Sequence, residues 1–256
     1  MAFFCFQKAK MNGRFKHETG RPFLQRSVGP SYGLTMEQLY EALRVMYTDD
    51  DPNRKHEADK WLREYRFTEE AWLAADQLLQ LESSPEYALF FAAQTLHTKI
   101  QTSFSTLPQS SWDSLRSSLI FHITRRRACP KYIRTKLCLA LAALAVQMST
   151  WNDIIPFLSQ SFGMDQSGGL SLLEVCALLP EECTDYYLEV TDTRRDMVLR
   201  QLNEASQSVL NMLVHLLQTA SEPRNIPMQQ MVFRCLSSWI HNCSIPSGAS
   251  MLSIFM

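Results

Sequence analysis

Helix-opening signals recur along this chain at Asn53, Pro85, Pro130, Gly168 and Pro227, and most of the intervals fall near one length. A period of roughly 40 residues is that of a two-helix repeat whose members cannot bury their apolar faces alone. Neighbouring pairs must then stack, and the expected architecture is all-α, an α-α superhelix of the HEAT-repeat kind with about five helix pairs. Each member has the marks of an amphipathic helix. The stretch from Phe90 to Phe104 is typical, with Leu89, Ala92, Ala93, Leu96, Ile100 and Phe104 on one apolar face. Gln94, Thr98 and Gln101 lie between them, with His97 and Lys99 beside, and form a side rich in hydrogen-bonding groups that suits another protein.

Composition agrees with that reading. The 256 residues are 46% hydrophobic, enough for a continuous core, and only 8 are glycine. Such a composition favours helices over sheets. A net charge of −1 gives no basic excess for a nucleic-acid partner. The most apolar run, Leu137 to Met148, is much shorter than the roughly 20 residues needed to cross a bilayer, so it is expected as a core helix and no membrane is expected. Seven cysteines occur without a CxxC pair, which fits reduced thiols in the cytosol or nucleus.

Residues 1–33 carry six basic residues against the single acid Glu18 and are expected to be a disordered basic extension. The helical region is expected over 34–243, with Thr35 capping the first helix, and a divergent tail over 244–256. Asp49-Asp50-Asp51-Pro52 lacks the ligand spacing of a calcium loop and is expected to be a solvated turn with an aspartate cap on the helix after it. Arg125-Arg126-Arg127 is expected at the C-terminal end of the fifth helix, where cations suit the dipole. The eighth helix is expected to end at Pro180 and an acidic loop with Glu181 and Glu182 to follow, before a ninth helix capped by Asp192 or Thr193.

No catalytic constellation is present. GxGxxG, P-loop and GxSxG patterns are absent, and His97, His122, His215 and His241 are expected as ordinary helix-face histidines. Cys235, His241 and Cys243 are the nearest thing to a metal cluster but lack a fourth ligand and paired short spacings. No catalytic residue, metal or cofactor is expected.

Several segments resemble the amino-terminal repeats of the importin-β superfamily, the karyopherins: LYEALRVMYTDDDPNRKHEADKWL from Leu39, FAAQTLHTKIQTSF from Phe91, LCLALAALAVQMSTW from Leu137, LPEE from Leu179 and VFRCLSSW from Val232. The transportin-SR (transportin-3) branch is the nearest in these motifs, with importin-13 next. The resemblance implies a non-enzymatic nuclear import receptor that shuttles between nucleus and cytoplasm, binds Ran in its GTP form and nucleoporins, and belongs to a branch that carries SR-rich splicing factors. It also implies an importin N-terminal-like region at about 36–104. Family members hold about twenty repeats, so the repeats that grip SR cargo are expected to be missing here. By position in the first B helices, the expected Ran contacts are Lys60, Glu64, Gln94, His97, Thr98 and Gln101. The alternative is a helical scaffold that uses the same surface without transport.

Overall fold

The structure, a computed structural model, describes residues 36–163, 166–219 and 225–243. The basic extension, the cap at Thr35 and the tail 244–256 lie outside the described residues. All regular structure among the described residues is helical: α1 (Met36–Thr48), α2 (Pro52–Tyr65), α3 (Glu70–Gln80), α4 (Glu86–Ser103), α5 (Trp112–Arg125), α6 (Lys131–Gln147), α7 (Ile154–Phe162), α8 (Gln166–Thr184), α9 (Asp192–Thr219) and α10 (Ile226–Asn242). The fold is all-α, of the HEAT-repeat class, as the sequence period predicts. The chain divides within α3 into two compact units, Met1–Ala74 and Ala75–Met256.

In the first unit α1 packs on α2. Leu39, Ala42, Leu43 and Val45 from α1, and Ala58, Leu62 and Tyr65 from α2, are buried at helical spacing. The turn between them is the capped turn expected from the sequence. The Asp51 carboxylate accepts the Asn53 N–H at 2.9 Å, and Pro52 occupies the first helical position, where its missing N–H costs nothing.

In the second unit α4, α6, α8 and α10 pack side by side in chain order, with α5 on α6, α7 on α8 and α9 on α10. Helices α6, α8 and α10 thus each contact their own partner and their even-numbered neighbours within the unit, which is how stacked helix pairs close a core. Helix α6 lies in the middle of this layer. Ala140, Ala142, Ala143 and Ala145 are buried, and such short side chains let helices approach on more than one side. No helix among the described residues is long and apolar enough to cross a membrane.

Side chains from later repeats close the carbonyl ends of earlier helices, which have no intrahelical donors of their own. Arg194 of α9 is buried and donates to Val146 O at 2.9 Å, Ala145 O at 3.1 Å and Met148 O at 2.7 Å, at the end of α6. Gln147 donates to Ile100 O near the end of α4. Arg126 donates to Leu79 O at 2.9 Å, where α3 ends. The arginine run therefore serves a neighbouring helix rather than only the end of α5, and Arg125 pairs with Glu82 at 2.7 Å.

Three other expectations are corrected. Helix α8 does not stop at Pro180 but runs on to Thr184, so Glu181 and Glu182 belong to a helix and Glu182 is buried. The lost i→i−4 bond is replaced from α10: Trp239 Nε1 donates to Cys176 O at 2.8 Å and Ser238 Oγ to Ala177 O at 2.6 Å. Gly168 and Gly169 lie inside α8, not before it; a Cβ on Gly169 would stand 3.0 Å from Leu216 Cδ2, so the glycine permits a close approach by α9. Helix α9 starts at Asp192, one residue after Thr191, whose hydroxyl accepts the Arg194 N–H at 3.3 Å and takes the capping role expected of Asp192 or Thr193.

Candidate functional site

Lys60 and Glu64 stand one turn apart on α2, both exposed, with Ala58, Leu62 and Tyr65 on the buried side holding the helix in place. They offer one cation and one anion from a rigid element of the first unit.

In the second unit, Gln94, Thr98 and Gln101 are half-buried along α4. Gln94 Nε2 donates to Thr98 Oγ1 at 3.3 Å, a pair at i and i+4 that leaves the amide oxygen free of that bond. Helix α4 is buried on far more of its circumference than its periodicity implies. His97 is 6% exposed and Lys99 only 2%, so the polar side expected from the sequence is narrower by those two residues.

The reason lies in the layer. Helix α6 packs against both α4 and α8, and its alanines are short enough for long side chains on either flank to meet. His97 Nε2 stands 3.9 Å from Glu182 Oε1 on α8, beyond hydrogen-bond reach. Neither ring nitrogen of His97 has a hydrogen-bond partner, nor does Glu182 Oε2. Sequence alone gives no sign of this neighbour, because Glu182 follows Pro180 and is expected in a solvated loop, whereas α8 runs on to Thr184.

A second buried cluster surrounds Asp76. His122 Nε2 bonds Asp76 Oδ1 at 2.7 Å, Gln80 Nε2 donates to Oδ2 at 2.6 Å, and the Ser118 hydroxyl donates to Oδ1. Burial pushes the Asp76 carboxyl up, but the hydrogen bonds from His122, Ser118 and Gln80 outweigh it and hold it below its ordinary value. Ser118, Asp76 and His122 do not make a nucleophile arrangement, because the hydroxyl donates to the carboxylate and not to the imidazole. Glu174, fully buried, accepts from Arg134 Nε at 3.0 Å and from the Thr135 hydroxyl, a third joint between repeats.

Six cysteines are free among the described residues. Burial pushes the Cys176 thiol up to about 12 and those of Cys183 and Cys243 up to about 11, so all three stay protonated and are poor nucleophiles. No group of three or more His, Cys, Asp or Glu is placed to hold a metal ion among the described residues. What the geometry presents is a set of amide, hydroxyl and charged groups on packed helices, which suits recognition of a protein surface.

Two family models match this chain. The Importin-beta N-terminal domain matches residues 58–125, and the Exportin 1-like protein model matches residues 130–252. Importin-13 of Mus musculus is 33% identical over 219 residues, covering 82% of this chain. The chain belongs to the importin-β superfamily. Another relative of this superfamily chain is Transportin MOS14 of Arabidopsis thaliana, 31% identical over 204 residues and 78% of the chain. Importin-13 of Gallus gallus is 32% identical over 221 residues. The chain spans only 22% of the length of the mouse importin-13 and 21% of the Arabidopsis transportin.

Proposed function

We propose that this importin-β superfamily chain acts in nuclear import as the part of a receptor that binds Ran in its GTP form, with Lys60 and Glu64 on α2 and Gln94, Thr98 and Gln101 on α4 as contacts. The observation that carries the reading is the match of the Importin-beta N-terminal domain to residues 58–125, the segment that holds all five of these side chains. Their chemistry supports it. Ran's switch segments are ordered by the γ-phosphate and its magnesium ion, so a receptor that favours the GTP form must read the positions of groups in those segments. Amides and hydroxyls on rigid helices read position, while Lys60 and Glu64 set charge register.

In this reading His97 acts from inside the layer and positions α4 rather than meeting the GTPase directly, since its ring is buried against Glu182. Nucleoporins are the partners that carry such a receptor through the pore, and shuttling between nucleus and cytoplasm follows. SR-rich proteins are the cargo class proposed for a receptor of which this chain is a part.

The test is capture on immobilised Ran loaded with a non-hydrolysable GTP analogue or with GDP. Retention on the GTP form, weakened by Gln94→Ala and Gln101→Ala together, supports the reading. Equal retention on both forms, or none, favours a helical scaffold with another partner.

A further inference from the structure

The connection from α8 to α9 displays the two most exposed large aromatic residues among those described, Tyr186 at 95% and Tyr187 at 87%. Leu188, immediately after them, is buried and anchors the loop. In sequence, Glu181, Asp185, Glu189 and Asp192 flank the pair, with the buried Glu182 among them, and no lysine or arginine lies between residues 181 and 192. Two phenols in open solvent are not there for packing, since an aromatic ring left exposed forgoes the burial that ordinarily stabilises it.

The local cation is Arg195, in the first turn of α9. Its Cζ lies 5.9 Å from the centre of the Tyr186 ring. The same guanidinium donates to Asp185 O at 3.0 Å, to Leu188 O at 3.3 Å and to Cys183 O, so it ties both the end of α8 and the loop to α9. Tyr187 is less free than Tyr186, because its backbone N–H donates to the Asp185 carboxylate at 2.9 Å and its chain neighbour is the buried Leu188.

We propose that Tyr186 is a phosphoacceptor for a protein tyrosine kinase that selects acidic sequences, and that its phosphate draws Arg195 away from the Cys183 carbonyl of α8 and the Asp185 and Leu188 carbonyls of the loop. The phenol oxygen of Tyr186 attacks the γ-phosphorus of ATP, the bond from that phosphorus to the β,γ-bridging oxygen breaks, ADP departs with the electron pair, and the phenol proton is released through the kinase's base. The product carries a charge near −2 and three strong acceptor oxygens. Asp185 and Glu189 repel such a dianion, so the guanidinium is the group that holds it, and a phosphate–guanidinium pair is a stronger match than three neutral carbonyls. The three carbonyls then lose their donor, and the last turn of α8 loosens. That turn contains Glu182, which lies against His97, so the modification reaches the α4 layer. This inference does not rest on Ran binding.

The full chain is treated with Mg·ATP and a tyrosine kinase domain active on poly(Glu,Tyr), and the sites are mapped by mass spectrometry. Phosphate is expected on Tyr186, to fall at least about tenfold in Tyr186→Phe and to persist in Tyr187→Phe. Backbone amide exchange at Tyr187, Leu188 and Val190 is expected to rise by about tenfold on phosphorylation of the wild type, and Arg195→Gln is expected to show the raised exchange beforehand with no further change. Phosphate mainly on Tyr187 or on neither tyrosine overturns the site. An equal rise in Arg195→Gln overturns the part given to Arg195.

Discussion

Trp239 Nε1 donates a 2.8 Å hydrogen bond to Cys176 O, the carbonyl that Pro180, four residues on, cannot satisfy. The indole is buried, and Ser238 Oγ reaches Ala177 O beside it. A proline inside a helix costs about 3 kcal/mol, partly through this orphaned carbonyl. Helix α10 thus repairs α8, and the repair joins one repeat to the next.

Trp239→Phe keeps most of the ring volume but removes the donor. A buried carbonyl left without its partner costs about 1–3 kcal/mol, so the urea midpoint of the full chain should fall accordingly. In a Pro180→Ala background the intrahelical N–H returns, and the same Trp239→Phe change should cost measurably less. Equal losses in the two backgrounds would show that the indole contributes by packing alone.

Arg194→Lys should destabilise nearly as much as Arg194→Ala, by roughly 3 kcal/mol, because an ammonium cannot reach all four carbonyls that the planar fork spans. Thermal melts of the two variants should lie close together and well below the wild type.

The Asp76 carboxyl is held below its ordinary value, so its proton is bound more weakly in the folded chain than in the unfolded one. Its contribution is complete above the unfolded value of about 4 and is lost as pH falls through the folded value. Wild-type stability should therefore drop more steeply below about pH 4 than that of Asp76→Asn, which starts lower at neutral pH. Denaturant midpoints from pH 7 to pH 3 report the difference in slope.

His97 and Glu182 are buried without a hydrogen bond to each other. Replacing both with leucine removes two poorly satisfied polar groups and should leave stability within about 1 kcal/mol of the wild type or raise it. A loss of several kcal/mol in the double variant would mean that the pair holds the α4–α8 approach together.

The helices were legible where periodicity and local capping decide the outcome. Asp51 reads as a cap because its partner, Asn53, is two residues away. Pro180 reads as a terminator because the donors that compensate for it, Trp239 and Ser238, are 63 and 61 residues from the carbonyls they serve. His97 and Lys99 read as polar surface for the same reason: what buries them comes from packed neighbours and not from their own helix. The repeat period located α2 and α4, and packing then decided which of their side chains face outward. Gln94, Thr98, Gln101, Lys60 and Glu64 kept at least partial exposure, whereas His97 did not.

As proposed above, outward-facing groups on α2 and α4 distinguish the nucleotide states of a GTPase. The direct measurement is the affinity of the full chain for Ran loaded with a non-hydrolysable GTP analogue against Ran·GDP, by titration calorimetry or interferometry. Binding at least about tenfold tighter to the GTP form is expected, a coupling of about 1.4 kcal/mol, reduced in the Gln94→Ala, Gln101→Ala double variant. Equal affinity for the two forms, or no binding to either, would contradict it.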